Sequence, residues 1–101
     1  MDTAASNRQQ RLASRCQGRW AEVRAINRDA QRIAIINDWG YAIAEIREGD
    51  VQLHDVVEGC VEAVGPSTWL NLCTDRPVTV NITHVQETMV TAAMLLMRET
   101  R

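Results

Sequence analysis

The chain has 101 residues, of which 46% are hydrophobic and 24% charged, and its formal net charge is −2. This length suits one domain with one core, and so small a charge gives no overall attraction to nucleic acid or to an anionic membrane. The charge is uneven, because residues 1–32 carry a balance of +4 and the rest of the chain carries −6. Such asymmetry is typical of a basic arm on an acidic body.

The N-terminal 18 residues are polar and contain neither an apolar stripe nor the hydrophobic region of a signal peptide. We therefore predict a flexible, arginine-rich arm over residues 1–18 and one β-barrel domain over residues 19–101, ending in a helix at 84–98. No stretch approaches the ~20 apolar residues that a transmembrane helix requires. The sequence thus predicts no contact with a membrane.

Three apolar-rich runs follow the arm in close succession, at Arg19–Ile26, Arg32–Asn37 and Tyr41–Ile46. The connections between them are too short for the crossover helix that parallel pairing needs. The runs therefore predict an antiparallel meander. Within the first run, successive side chains point to opposite faces of the strand. This alternation places Ala21, Val23 and Ala25 on the inner face and Ile26 on the outer face.

Further strands are predicted at Val56–Val64, Trp69–Cys73 and Val78–Ile82, between turn residues. From His84 onward the apolar residues recur at helical spacing, and residues 83–86 fit a capping box. This helix is so apolar that we expect it to be buried on more than one side. The predicted fold class is all-β: a small antiparallel barrel of five or six strands, OB-like, with a C-terminal helix.

The outer face of the first three strands is the best candidate for a binding surface. The residues expected there or at the tip of the second hairpin are Trp20, Arg24, Arg32, Trp39 and Tyr41. Aromatic side chains flanked by arginine bind single-stranded nucleic acid by stacking, at roughly 1–3 kcal/mol per base. The competing interpretation is that the C-terminal helix packs on this face.

The strand sequences resemble those of a family of small, largely uncharacterised bacterial proteins with an OB-like barrel, distantly similar to cold-shock domains. The matching segments are residues 18–23, 31–35, 40–46 and 70–74. The resemblance implies the barrel fold and a nucleic-acid-binding outer face. The chain has no Phe, and Ile33, Ile35 and Ile43 stand where cold-shock domains carry their phenylalanine-rich motifs.

The sequence contains no phosphate-binding glycine loop, no nucleophile elbow and no spacing typical of metal ligands. We therefore predict no cofactor, no metal and no enzymatic activity. Only His54, Asp55 and Cys60 would merit mutation in a search for catalysis. Cys16, Cys60 and Cys73 form no CxxC pair, which predicts reduced thiols and a cytoplasmic location.

The functional hypothesis is a non-enzymatic domain that binds single-stranded nucleic acid through the outer face of strands one to three. RNA is the expected ligand, and single-stranded DNA is the alternative. The alternative is a protein–protein adaptor or a homodimer that uses the apolar C-terminal helix. Met89, Met94 and Met97 give that helix the adaptable surface that such contacts favour.

Overall fold

The computed structural model describes residues 19–98, and within this range the chain forms a closed antiparallel barrel followed by one helix. The strands are β1 (Trp20–Asn27), β2 (Arg32–Asn37), β3 (Gly40–Glu48), β4 (Val56–Glu58), β5 (Gly65–Asn71) and β6 (Arg76–Glu87), and the helix is α1 (Met89–Leu96). The order around the barrel is β1-β2-β3-β6-β5-β4. The predicted fold class is confirmed. The arm predicted over residues 1–18 lies outside the described residues.

The meander forms with the predicted pairing, and β2 has the predicted bounds. A bulge at Arg24 interrupts the pairing of β1 with β2, because Val23 faces Ile35 and Ala25 faces Ala34. The extra residue reverses the alternation of the inner and outer faces. Ile26 therefore packs against the barrel core and Ala25 against the outer cluster, the opposite of the predicted arrangement.

Other predicted bounds were also wrong, since the strand expected at Trp69–Cys73 runs over Gly65–Asn71 and the strand expected at Val78–Ile82 runs over Arg76–Glu87. The strand expected at Val56–Val64 ends at Glu58, and the chain turns through residues 59–64. The helix expected from residue 84 begins only at Met89, because residues 84–87 still pair with β3 as the end of β6. Thr88 is the N-cap, and its hydroxyl accepts a hydrogen bond from the Thr91 amide.

The main core fills the inside of the barrel, where alternate apolar side chains of every strand meet. Trp69 is the largest of them, and its indole Nε1 donates to the Cys60 carbonyl at 2.8 Å. A second, smaller cluster lies outside the barrel, between α1 and the outer face of β2 and β3. It consists of Ala34, Ile43, Ala92 and Leu96, with Ala25, Tyr41 and Leu95 packed around it. The position of this cluster decides which part of the meander is accessible.

Candidate functional site

α1 covers the centre of the outer face that the sequence predicts as a binding surface. Ala92 and Leu96 pack on Ala34 and Ile43, and all four are buried. Burying a leucine side chain contributes about 2 kcal/mol, so this contact holds the helix on the sheet. Tyr41 packs against the same cluster and is only half-exposed. The centre of the meander is therefore a support for α1, as the competing interpretation predicted.

Arg32, a predicted nucleic-acid contact, is instead 7% exposed and binds the C-terminal end of α1. Its Nη1 donates to the carbonyl oxygens of Leu95, Leu96 and Arg98 at 2.7, 3.0 and 2.8 Å. The last carbonyls of a helix lack partners within the helix, and the negative end of the helix dipole attracts a cation. Arg32 therefore acts as a structural cap for α1 and is not part of the accessible surface.

The indoles of Trp20 and Trp39 remain accessible, at 60% and 47% exposure. Trp20 pairs with Glu58 across the β1–β4 ladder, and its Nε1 donates to the Glu58 carboxylate at 3.2 Å. Trp39 lies in the turn between β2 and β3, where its amide donates to the Asn37 side chain at 2.8 Å. The Trp20 indole is available for stacking beside the Glu58 carboxylate, whereas one face of the Trp39 indole is occupied by the guanidinium group of Arg19.

Most arginines exposed on the described surface are paired with acidic side chains. Arg24 lies 3.2 Å from Glu22, and similar pairs join Arg28 to Asp50 and Arg47 to Glu45. Hydrogen bonds from His54 and Arg24 hold the pKa of Glu22 below its usual value. Glu22 therefore keeps its negative charge beside Arg24, where a nucleic-acid phosphate would have to bind. Residues 19–98 contain seven arginines against eleven acidic residues, so the net charge of this body is negative and repels phosphate.

The opposite face of α1 is exposed and apolar. On this face Val90, Met94 and Met97 are 67%, 70% and 66% exposed, and Met89, which begins the helix on the side of Leu96, is also 66% exposed. The helix contains no charged residue between Met89 and Leu96. Within one copy of the chain, the barrel covers only the Ala92 and Leu96 side of the helix. That a second side is buried against another subunit stays a prediction. A contiguous exposed apolar surface of this kind usually marks an interaction site.

The residues considered for catalysis do not form a common site. The Nδ1 of His54 lies 2.9 Å from a Glu22 oxygen, whereas Asp55 accepts a hydrogen bond from the buried Asn71 side chain at 2.8 Å. Burial alone would raise the pKa of Asp55, but hydrogen bonds from Asn71, from the Gln52 amide and from Cys73 outweigh it and hold that pKa below its usual value. Asp55 is therefore a fixed, ionised structural acceptor.

Cys60 is disulfide-bonded, while Cys73 is free and exposed. The prediction of reduced thiols was therefore wrong for Cys60, which also removes it as a candidate nucleophile. Sequence spacing gave no signal for this bond, because the chain contains no paired cysteine motif.

A cavity of about 540 Å³ opens at the end of the barrel near Asp50, Asp55 and Arg76. Two carboxylates that line this cavity already have partners within the chain: Asp50 forms an ion pair with Arg28, and Asp55 accepts a hydrogen bond from Asn71. Among residues 19–98, no three His, Cys, Asp or Glu side chains are grouped closely enough to hold a metal ion.

The described part of the chain has no helix of the length and apolar character needed to cross a membrane. Comparisons with models of protein families, with curated proteins and with solved structures find no match to this chain.

Proposed function

We propose that the protein is a non-enzymatic interaction domain that associates with a second copy of itself through the exposed face of α1. The observation that carries this proposal is the continuous uncharged stripe of Val90, Met94 and Met97. These residues recur at i, i+4 and i+7, so they form one side of the helix. The small Ala93 beside them permits a close approach of a second helix.

The charges at the two ends of α1 favour an antiparallel pair. Glu87 immediately precedes the N-cap, and Arg98 follows the C-cap. A two-fold axis close to Ala93, midway along the chain between Glu87 and Arg98, brings Glu87 of one copy beside Arg98 of the other and aligns the helix dipoles oppositely. A parallel pair would instead bring like charges together. The end charges therefore make the face complementary to itself in the antiparallel orientation.

The expected association is weak, because a helix of eight residues is only about 12 Å long. Such a contact falls in the class of small, transient interfaces, with a Kd on the order of 10⁻⁵ M. Sedimentation equilibrium between about 10 and 500 µM is expected to show a monomer–dimer equilibrium. Met94→Glu places one carboxylate from each copy close to the axis, inside the apolar contact, and is expected to make the protein monomeric throughout this range.

Val64→Glu is the matched control, since Val64 is 63% exposed on a loop outside α1, and it is expected to leave the equilibrium unchanged. Glu87→Arg and Arg98→Glu are each expected to weaken association, and the double variant is expected to restore it. A wild-type monomer at 500 µM, or a dimer that Met94→Glu leaves intact, would contradict the proposal. Circular dichroism verifies that each variant is folded.

Single-stranded nucleic acid is the second candidate, supported by the exposure of Trp20 and Trp39 and by the resemblance to OB-like barrels. The ion pairs of the neighbouring arginines count against it. If RNA binds here, fluorescence polarisation with a mixed 20-nucleotide pool at 50 mM salt detects binding that falls steeply by 200 mM salt. Trp20→Ala with Arg24→Ala is expected to weaken it at least about tenfold. Binding untouched by this double variant would exclude this surface.

A cytoplasmic location stays a prediction. The Cys60 disulfide counts against it, because disulfides persist mainly in oxidising compartments.

A further inference from the structure

At the turn between β2 and β3, an aromatic ring and a carboxylate hold the same cation. The Cζ atom of Arg19 lies 4.5 Å from the centroid of the Trp39 ring. Its Nη1 lies 3.3 Å from a carboxylate oxygen of Glu62. Guanidinium groups bind proteins through these two contacts, a π face on one side and a carboxylate at the edge. Trp39 and Glu62 therefore form a guanidinium-binding site, which Arg19 of the same chain occupies.

A cavity of about 140 Å³ adjoins this pair and extends the site beyond Arg19. It is lined by Asn37, Trp39, Val61, Glu62, Val85 and Gln86. The two amide side chains add hydrogen-bonding groups around the carboxylate, and the two valines form an apolar wall. The cavity thus combines the features of a small site for a cation with an apolar stem, such as the side chain of arginine.

The backbone around this cavity departs from regular strand geometry. β6 carries an extra residue at Val85 and Gln86 opposite Ala42, and Gln86 has a φ of 57°. At Gly40 a Cβ atom would lie 3.0 Å from the Glu87 carbonyl oxygen, so the turn and the bulge approach closely. Positive φ is uncommon for residues other than glycine, and bulges often re-aim side chains at functional sites. These departures position Gln86 and Trp39 on the two sides of the cavity.

We propose that Trp39 and Glu62, with the adjoining cavity, bind the guanidinium group of an external ligand, and that Arg19 occupies the site as an internal competitor. The ligand is an arginyl peptide or a free guanidino compound. This proposal does not depend on self-association through α1. Because Arg19 must leave before the ligand binds, the apparent affinity equals the intrinsic affinity multiplied by the fraction of open sites.

Two-dimensional NMR titration of the Trp39 indole resonance, assigned with Trp39→Phe, tests the proposal. The probes are the peptide acetyl-Gly-Arg-Gly-amide and the same peptide with citrulline, a neutral isostere of arginine. The arginine peptide is expected to shift the resonance in a saturable manner and the citrulline peptide is not. Arg19→Ala is expected to tighten binding by about three- to tenfold, and Glu62→Gln to weaken it by about the same factor.

Arg28→Ala is the matched control, because Arg28 is also an exposed arginine in an ion pair, with Asp50. It is expected to leave the affinity unchanged. Equal affinity for the arginine and citrulline peptides, or equal affinity of the wild type and Arg19→Ala, would overturn the proposal. Agmatine distinguishes the two ligand sources: affinity equal to that of the peptide assigns the site to free guanidino compounds, and weaker binding assigns it to arginyl peptides.

Discussion

Replacing Arg32 with alanine is expected to lower the free energy of unfolding by about 2–4 kcal/mol and to release the C-terminal end of α1. The substitution removes the donor that three helix-terminal carbonyl groups share. The Asn27 side chain, which donates to the Leu96 carbonyl at 2.9 Å, is then the remaining side-chain donor described at this end of the helix. Urea denaturation measures the loss of stability, and amide hydrogen exchange in residues 92–96 locates it.

Arg28→Ala is the control for this prediction. Arg28 has a side chain 59% exposed and lies 3.5 Å from Asp50, so its loss is expected to change stability by less than about 0.5 kcal/mol. Since α1 carries the proposed interface, Arg32→Ala is also expected to weaken self-association. An Arg32→Ala variant as stable as Arg28→Ala would show that the cap contributes little and that the apolar contacts of Leu96 alone hold the helix.

Replacing Gly59 with alanine is expected to lower the free energy of unfolding by about 2–4 kcal/mol. The new Cβ atom would lie 2.7 Å from Cδ1 of Trp69, at a backbone φ of 155°. The indole has no room to move, because it is 1% exposed and its Nε1 is bonded to the Cys60 carbonyl. Thermal unfolding followed by near-ultraviolet circular dichroism reports both the stability and the packing of Trp69.

Gly65→Ala separates the two causes of this loss of stability, which are backbone strain at a positive φ and the contact of the new Cβ atom with Trp69. Gly65 also has a positive φ, 130°, but no atom lies within 4 Å of a Cβ atom placed there. Only backbone strain is expected at this position, about 1–2 kcal/mol. The difference between the two variants therefore measures the contact with Trp69. Equal losses for Gly59→Ala and Gly65→Ala would refute the claim that this contact makes Gly59 necessary.

The meander and the barrel class were predictable because their evidence is local. The period-two pattern and the short connections of residues 19–46 limit the pairing to antiparallel neighbours. The bulge at Arg24 was not predictable in this way, because the extra residue is defined only against its partner strand. For the same reason the sequence pattern extended the helix to residue 84, whereas pairing of His84 with Ile43 keeps that residue in β6.

Among the candidate binding residues, the sequence alone identified the exposed indoles of Trp20 and Trp39 and the methionines of α1. It could not assign the role of Arg32, because an arginine at the start of a strand is compatible both with a solvent-exposed cation and with a helix cap. The carbonyl groups that Arg32 binds are 63 to 66 residues away in the sequence. It also gave no indication that Arg19 would meet Trp39 and Glu62, which lie on two different turns of the barrel.

By itself, the sequence determined the strand pattern and the uncharged, methionine-rich helix, since both follow from the spacing of apolar residues along a short stretch of chain. Only the tertiary structure decided which face of that helix is covered and which residues of the meander remain accessible. The physical reason is that burial and ion pairing depend on side chains brought together from distant positions. In this protein, one side of α1 packs against Ala34 and Ile43, and the opposite side carries the proposed interface.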